Sequence, residues 1–151
     1  MSTITTARSA LGSGIDPRGP RFTATLTSVV LAVVLVAPTP VAVVVLALQT
    51  VVFAVGAFRG IQHTPYAWLY RTLVRPRLAA PRELEDPRPP RFAQGVGLGF
   101  ALVGLVGFAT GLTALALVAT GFALAAALLN AAFGFCLGCE IYLLLQRATA
   151  R

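Results

Sequence analysis

The fold of this chain is decided by residues 92–145, which read FAQGVGLGFALVGLVGFATGLTALALVATGFALAAALLNAAFGFCLGCEIYLLL. Glu140 is the only charged residue among these 54. A helix needs about 20 apolar residues to cross a bilayer, so this stretch is too long for one span and fits two spans joined by a turn. We expect the turn near residues 109–111, which leaves a third helix of about residues 92–108. A turn at Thr120-Gly121 is the alternative, and it would give more even lengths.

Two shorter apolar runs precede this stretch. Residues 22–37 and 41–58 are separated by Pro38-Thr39-Pro40, and proline disfavours a helix at the residue before it. A signal peptide is the alternative interpretation of the first run, but no Ala-x-Ala-like site follows it and further apolar runs come after it. The sequence therefore predicts an all-α integral membrane protein with four transmembrane helices, arranged as two tandem hairpins.

The composition agrees with a membrane protein. Apolar residues make up 57% of the chain and charged residues 11%, and the mean hydropathy is +0.82. Soluble domains usually carry about 25% charged residues. The net charge of +7 comes from 12 arginines, because the chain contains no lysine.

The distribution of these arginines predicts the orientation. They lie in the N-terminal flank, in the segment between the hairpins and at the C-terminus, and none lies in either hairpin turn. With four spans, all three basic segments fall on one side, which the positive-inside rule makes the cytoplasm. We expect a multi-pass protein of the inner membrane with both termini cytoplasmic. The arginines then face anionic lipid headgroups, so the basic charge gives no reason to expect a nucleic-acid partner.

The segment between the hairpins contains a candidate surface helix. Thr64 suits the N-cap and Pro65 the first helical position. Aromatic and leucine side chains follow at positions 66, 69, 70 and 73, which is helical spacing. We expect a short amphipathic helix at the membrane interface, and a solvated loop turn is the alternative. The side chains expected at the interface are Arg21, Phe22, Tyr66, Trp68, Tyr70, Arg71, Arg75, Arg91 and Phe92.

The chain divides into four segments, two of which begin with the same motif. We expect a disordered tail (1–14), a first hairpin (15–58), a basic Pro-rich cytoplasmic loop (59–91) and a second hairpin (92–146). Residues 16–22 read DPRGPRF and residues 86–92 read DPRPPRF, identical at six of seven positions. Chance is one explanation in a chain rich in Arg and Pro. We favour a parallel repeat whose halves both enter from the cytoplasm.

The third predicted helix is rich in glycine. Gly95 and Gly99, and also Gly107 and Gly111, have the small-xxx-small spacing that lets helices approach closely. Packing within the chain is the first explanation, and formation of a homodimer is the second.

The chain has two cysteines, Cys136 and Cys139. They are a redox pair, part of a metal site, or inert packing residues. A redox role needs a stabilised thiolate. If Gly134 ends the preceding helix and Cys136 opens a new one, the helix N-terminus stabilises the thiolate. If the helix is continuous, its C-terminal end and the charge of Glu140 destabilise the thiolate. The sequence does not decide between a broken and a continuous helix.

A metal site needs further ligands. His63, the only histidine, lies in the central loop, on the same side of the membrane as the cysteines. One hypothesis is therefore a zinc ion bound by Cys136, Cys139, His63 and Glu140. No other cofactor is evident from the sequence. Asn130, a polar residue in an apolar run, is expected to influence the thiols together with Glu140.

Several activities are disfavoured by what the sequence lacks. No ionisable residue lies in the middle of a predicted span, which argues against an ion-coupled transporter. One histidine is too few for most hydrolytic sites. Gln49 and Asn130, as polar residues within apolar runs, are expected to form hydrogen bonds between helices.

Several short motifs together resemble a known family. They are IDPRGPRF (15–22), TPY (64–66), RPR (75–77), ELEDP (83–87), PRFAQG (90–95) and LNAAFGFCLGCE (129–140). In these motifs the chain resembles the bacterial membrane family catalogued as domain of unknown function 4395, over about residues 15–146. The resemblance implies an association with thioredoxin-like and sulfurtransferase-like partners and maps onto Cys136, Cys139 and Glu140, but it assigns no reaction.

These observations lead to one main hypothesis. Cys136 and Cys139 cycle between dithiol and disulfide against a cytoplasmic thioredoxin-like or sulfurtransferase-like protein, and the reducing cytoplasm makes the dithiol the expected resting state. The alternatives are a membrane scaffold without enzymatic activity and a zinc-binding module with structural cysteines.

Overall fold

The computed structural model describes residues 14–150, so the tail predicted for residues 1–14 lies outside the described part except for Gly14. The described chain forms α1 (Arg18–Val36), α2 (Thr39–Phe58), α3 (Pro65–Leu69), α4 (Arg88–Ala109), α5 (Thr113–Phe133) and α6 (Leu137–Thr149). A 3-10 turn, Ile61–His63, precedes α3, and a π turn, Tyr70–Val74, and a second 3-10 turn, Arg75–Arg77, follow it.

Four of these helices, α1, α2, α4 and α5, are long and apolar enough to cross a membrane. The prediction of an all-α membrane protein with four spans is confirmed. The turn between α4 and α5 falls at residues 110–112, as predicted, and Gly111 adopts a φ of +78° there. The alternative turn at Thr120-Gly121 is wrong, because both residues lie inside α5.

Helices α1 and α4 begin about one turn earlier than predicted. The carboxylates of Asp16 and Asp86 accept hydrogen bonds from the backbone N–H groups of Arg18 (3.0 Å) and Arg88 (2.9 Å). These bonds satisfy amides at the helix start that have no partner within the helix. The loop predicted for residues 59–91 therefore ends at Pro87.

The four long helices form a ring. Helix α1 contacts α2 and α5, and α4 contacts the same two helices from the other side. The most extensive contacts are α2 with α4 and α1 with α5, which join the two halves of the chain. The halves therefore interlock instead of packing as separate hairpins. The buried core consists of Leu31, Val34, Ala42, Leu46, Phe53, Ala101 and Ala123.

Glycine allows α4 and α5 to approach closely. A Cβ atom placed on Gly107 would lie 2.7 Å from the backbone nitrogen of Ala116, so packing within the chain accounts for this glycine. A Cβ on Gly99 would meet no atom of the described residues within 4 Å. Formation of a homodimer through the Gly95 and Gly99 pair stays a prediction.

The segment after α2 folds back onto the bundle. Thr64 caps α3, as predicted, because its hydroxyl accepts a hydrogen bond from the backbone N–H of Ala67 at 3.2 Å. Tyr66 donates its hydroxyl to Oε1 of Gln49 at 2.6 Å, and burial raises the pKa of Tyr66. Gln49 thus has the hydrogen bond between helices that its place in an apolar run predicted.

The aromatic residues of this segment point in different directions. Trp68 is 57% exposed, whereas Tyr70 is 4% exposed. Tyr70 donates its hydroxyl to Oδ2 of Asp16 at 2.8 Å, and burial raises its pKa. The predicted helix is present, but Tyr66 and Tyr70 hold it on the bundle, which leaves Trp68 as the aromatic side chain able to reach the headgroups.

The two copies of the heptapeptide make equivalent hydrogen bonds. Arg21 donates to the carbonyl oxygens of residues 131 and 132 at the end of α5, both at 3.0 Å. Arg91 donates to those of residues 57 and 58 at the end of α2, both at 2.6 Å. Each arginine therefore satisfies the free carbonyls at the end of a helix in the other half of the chain.

The aromatic contacts and a pair of backbone hydrogen bonds also match between the two halves of the chain. Phe22 packs on Tyr70 with ring centroids 5.7 Å apart, and Phe92 packs on Tyr142 at 5.6 Å, both with an interplanar angle of 47°. Ile15 and Glu85, which directly precede the two copies, exchange two backbone hydrogen bonds of 2.9 Å. The two halves thus make matching contacts on either side of the Ile15–Glu85 pair, and their origin as a parallel repeat stays a prediction.

Candidate functional site

Cys136 and Cys139 are joined by a disulfide at the start of α6, with their Cα atoms 5.2 Å apart. This separation lies within the usual range for a disulfide. It arises because one helical turn separates the two residues. The geometry therefore allows the pair to form a disulfide, and the dithiol resting state expected in a reducing cytoplasm stays a prediction.

Gly134 separates α5 from α6. It has a φ of +67°, a left-handed conformation that glycine adopts easily, and its N–H donates to the carbonyl of Asn130 at 3.0 Å. Cys136 is the N-cap of α6, and its sulfur accepts a hydrogen bond from the backbone N–H of Cys139 at 3.3 Å. Of the two arrangements that the sequence left open, the broken helix is confirmed.

This position favours a thiolate on Cys136 when the pair is reduced. The first amides of a helix and its dipole stabilise negative charge at the N-terminus. Cysteines at such positions are the ones with enhanced thiolate character in proteins. Helix α6 has 13 residues, long enough for its N-terminal amides to act in this way.

The first half of the chain has the same cap without sulfur. Thr64 caps α3 through the N–H of Ala67, as Cys136 caps α6 through the N–H of Cys139. In each half, the tyrosine of the aromatic pair lies three residues after the one whose N–H is bonded: Tyr70 follows Ala67, and Tyr142 follows Cys139. The cysteine pair therefore replaces a threonine and an alanine at equivalent positions of the repeat. The matching spacing was visible in the sequence, but the predictions did not use it.

Both cysteines line an open groove of about 510 Å³ at the end of the bundle. It lies between the starts of α1 and α4 and the junction of α5 with α6. Its lining is polar on several sides, with Arg18, Arg21, Asp86, Asn130 and Glu140 among the groups present.

The charged groups near the groove are held by ion pairs. Arg18 binds Asp16 at 2.9 Å, and this hydrogen-bonded guanidinium holds the pKa of Asp16 at about 2. Arg88 binds Asp86 at 2.7 Å and lowers the pKa of that carboxyl in the same way. Both carboxylates are ionised at neutral pH. The groove thus combines charges of both signs with apolar side chains such as Phe135 and Leu143.

Gly138, between the cysteines, brings α6 against α4. A Cβ atom on it would lie 2.6 Å from Cβ of Ala93 and 2.7 Å from its Cα. The glycine is helical, so the reason for it is close packing.

Glu140 and Asn130, the two residues expected to influence the thiols, both line the groove. Glu140 is in the first turn of α6, where its charge interacts favourably with the helix dipole. Asn130 is at the end of α5, and its backbone carbonyl accepts the hydrogen bond of Gly134. The structure thus brings both residues to the cysteines.

His63 does not join the cysteines. It is exposed in the 3-10 turn after α2. Within residues 14–150, no three side chains of His, Cys, Asp or Glu are grouped closely enough to hold a metal ion. The geometry therefore offers no support for the zinc hypothesis, and the cysteine sulfurs are bonded to each other.

The remaining residues expected at the interface have mixed roles. Arg21 and Arg91 bind helix ends, and Phe22 and Phe92 pack on tyrosines, as described above. Arg71 donates to the backbone carbonyl of Gln62 at 2.7 Å, and Arg75 is exposed. The sequence-based predictions missed Asp16, although the repeated DPR motif was a signal for its ion pair.

The comparisons with known proteins are consistent with this geometry. The sequence profile of the family described as Domain of unknown function (DUF4395) matches residues 15–147. The chain belongs to this family. The resemblance that the motifs indicated is thereby confirmed. No curated protein and no solved structure matches the chain significantly.

Proposed function

We propose that this chain is a membrane thiol–disulfide exchange protein that acts on a thioredoxin-like or sulfurtransferase-like partner through Cys136 and Cys139. The observation that carries the proposal is the pair's position. The disulfide is at the N-terminus of a helix and borders an open polar groove. A disulfide that only held the fold together would need neither feature.

The two sulfurs have different parts in the exchange. A thiolate of the partner enters the groove and attacks the sulfur of Cys139, and the S–S bond breaks. Cys136 leaves as a thiolate, which the amides of α6 stabilise, and a more stable thiolate is a faster leaving group. A second partner thiol then attacks the mixed disulfide. The partner departs as a disulfide, and this chain is left as a dithiol.

The orientation is part of the proposal. The starts of α1 and α4, the ends of α2 and α5, and the cysteine pair all lie at one end of the bundle, together with the central arginine-rich segment. The positive-inside rule favours the cytoplasm for this end. Anionic lipid headgroups then contact the exposed arginines. A membrane-impermeant maleimide applied to the reduced protein tests this: labelling from the outside alone would contradict it.

The exchange is tested with a thioredoxin-like protein whose second active-site cysteine has been replaced, so that a mixed disulfide persists. We expect the oxidised wild-type chain to form a covalent complex with it, and peptide mapping to find the partner on Cys139. The matched control is Cys136→Thr/Cys139→Ala, which introduces the residues found at the equivalent cap in the first half. It should keep thermal stability close to that of the wild type after reduction, and form no complex.

Two results would contradict the proposal. One is a wild-type chain that forms no complex although its groove is accessible to a small maleimide after reduction. The other is a disulfide that is reduced only below about −300 mV, which is the range of structural disulfides.

A further inference from the structure

A second cavity adjoins Cys136 and shares Pro20, Pro90 and Asn130 with the groove. It has a volume of about 250 Å³ and is lined by residues of α1, α2, α4, α5 and α6. Cys136 lines this cavity and also the groove, whereas Cys139 lines only the groove. Cys136 is therefore the cysteine next to both spaces, and the one that a molecule in the cavity would meet.

The cavity exists because one wall is built from small residues. Ala123, Ala126 and Ala127 line it along α5, and Ala93 and Gly97 line it along α4. Phe100 and Phe122 line the far end, and their rings stack with centroids 6.1 Å apart. Such a lining suits a flat, apolar ring.

The cavity reaches the outer surface of the bundle. Phe122 lines it and is 61% exposed, near the middle of α5, on a surface that faces lipid in a membrane. Asn130 lines the end near the disulfide. It is eight positions after Phe122, which corresponds to about 12 Å along the helix. A ligand from the bilayer can therefore extend from the lipid to the sulfur of Cys136.

Polar groups are concentrated near the disulfide end. Besides Asn130, the cavity is lined by Gln94, which carries a second side-chain amide. Amide groups can donate to a ring carbonyl and accept from a ring hydroxyl, so they match both redox forms of a quinone.

We propose that this cavity binds a lipid-soluble quinone, which oxidises the Cys136–Cys139 dithiol after each exchange with a partner. The inference rests on the proposed function, because it supplies the oxidant that the cycle needs. Two S–H bonds break and one S–S bond forms. The two electrons and two protons pass to the quinone, which leaves as hydroquinone. The net reaction of a full cycle is the oxidation of a partner dithiol by the quinone.

The proposed orientation places the cysteine pair at the cytoplasmic end of the bundle. Redox buffers in that compartment favour the dithiol. A membrane quinone can keep such a pair oxidised kinetically, as it does for the disulfide-forming system of the bacterial periplasm. Cys136 has the position that this requires, because its thiolate is released by the exchange and borders the cavity.

The test uses the full chain in lipid nanodiscs, reduced and freed of reductant, with decylubiquinone as the probe. Loss of free thiols and formation of hydroquinone are followed together. We expect equimolar formation of disulfide and hydroquinone in the wild type. Ala126→Leu, which fills the cavity, should slow this oxidation about tenfold or more, since the added side chain competes for the same volume. Ala125→Leu, one residue away on an exposed face outside the cavity, should oxidise at the wild-type rate.

Oxidation by diamide, a water-soluble thiol oxidant, separates cavity effects from damage to the fold. It should proceed equally in the wild type and in both variants. The inference is overturned if decylubiquinone does not oxidise the wild type, or if Ala126→Leu reacts as fast as Ala125→Leu. In either case, continued formation of the mixed disulfide with the partner would leave the proposed exchange intact. Loss of both reactions would overturn both proposals.

Discussion

Replacing Gly138 by alanine should loosen the contact between α6 and α4. The added Cβ would lie 2.6 Å from Cβ of Ala93 and 2.7 Å from its Cα, and ordinary carbon contacts begin near 3.5 Å. The helix must therefore move by about 1 Å, and the neighbouring group is backbone-attached and cannot rotate away. Overpacking of this kind costs about 1–3 kcal/mol. The better helix propensity of alanine returns at most about 1 kcal/mol.

The net weakening of about 1–2 kcal/mol corresponds to a roughly 5- to 30-fold change in the equilibrium between docked and undocked α6. Hydrogen exchange of the α6 amides, measured by mass spectrometry in detergent micelles, should accelerate by this factor. The control is Gly99→Ala, where a Cβ meets no described atom within 4 Å, and it should leave α6 unchanged. Equal exchange in Gly138→Ala and the wild type would refute the close-packing explanation. So would an equal acceleration in both variants.

Three further predictions concern the ends of the helices. Arg91→Met and Arg21→Met each remove two hydrogen bonds to helix carbonyls, so each should lower the free energy of unfolding by about 1–2 kcal/mol. Thermal unfolding in micelles checks this, and a loss at only one end would show that the halves are not equivalent. In a chain that lacks the native cysteine pair, Thr64→Cys/Ala67→Cys should form a disulfide in the first half. The two new cysteines should then resist maleimide labelling until reductant is added. Free thiols after oxidation would contradict the equivalence of the caps. Finally, the pKa of Asp16 is lowered from 3.8 to about 2, so the folded state binds fewer protons than the unfolded state between these values. Its contribution of about 2 kcal/mol is complete above pH 4 and is lost as the pH falls to about 2. Fluorescence of the single tryptophan during denaturant unfolding at each pH measures this, and Asp16→Asn should remove that part of the acid dependence.

The long elements could be predicted from the sequence because they depend on local patterns. Apolar runs of sufficient length and the Thr110-Gly111 turn were enough to locate four spans. The starts of α1 and α4 were misplaced because an aspartate before Pro-Arg was taken as loop. Its side chain in fact satisfies the first amides of the helix.

The break at Gly134 could not be predicted in the same way. A glycine within an apolar run has two explanations, close packing inside a helix or a left-handed helix end, and this chain contains both. Gly107 is of the first kind and Gly134 of the second. The choice depends on tertiary contacts, here the binding of Arg21 to the last carbonyls of α5.

The surroundings of the cysteines depend on contacts across the bundle, which residue spacing does not encode. That α1 packs on α5, and α2 on α4, decides which residues share the groove and which share the cavity. Tyr66 and Tyr70 show the same limit. Their helical spacing is correctly inferred, but a tyrosine suits a headgroup layer and a buried hydrogen bond equally well. Only the partners Gln49 and Asp16 decide between them.

Of the two matching helix caps, one carries sulfur and the other does not. This difference decides how many partners one chain could bind covalently in the proposed exchange. The cap in the first half is Thr64, which is buried and carries a hydroxyl, so no mixed disulfide can form there. In the proposed exchange, one chain therefore holds one covalently bound partner at a time, although its two halves make matching contacts. A symmetric dimer would have two cysteine pairs that can bind a partner and two threonine caps that cannot. The number of trapped partners per particle would therefore reveal the oligomeric state without a separate measurement.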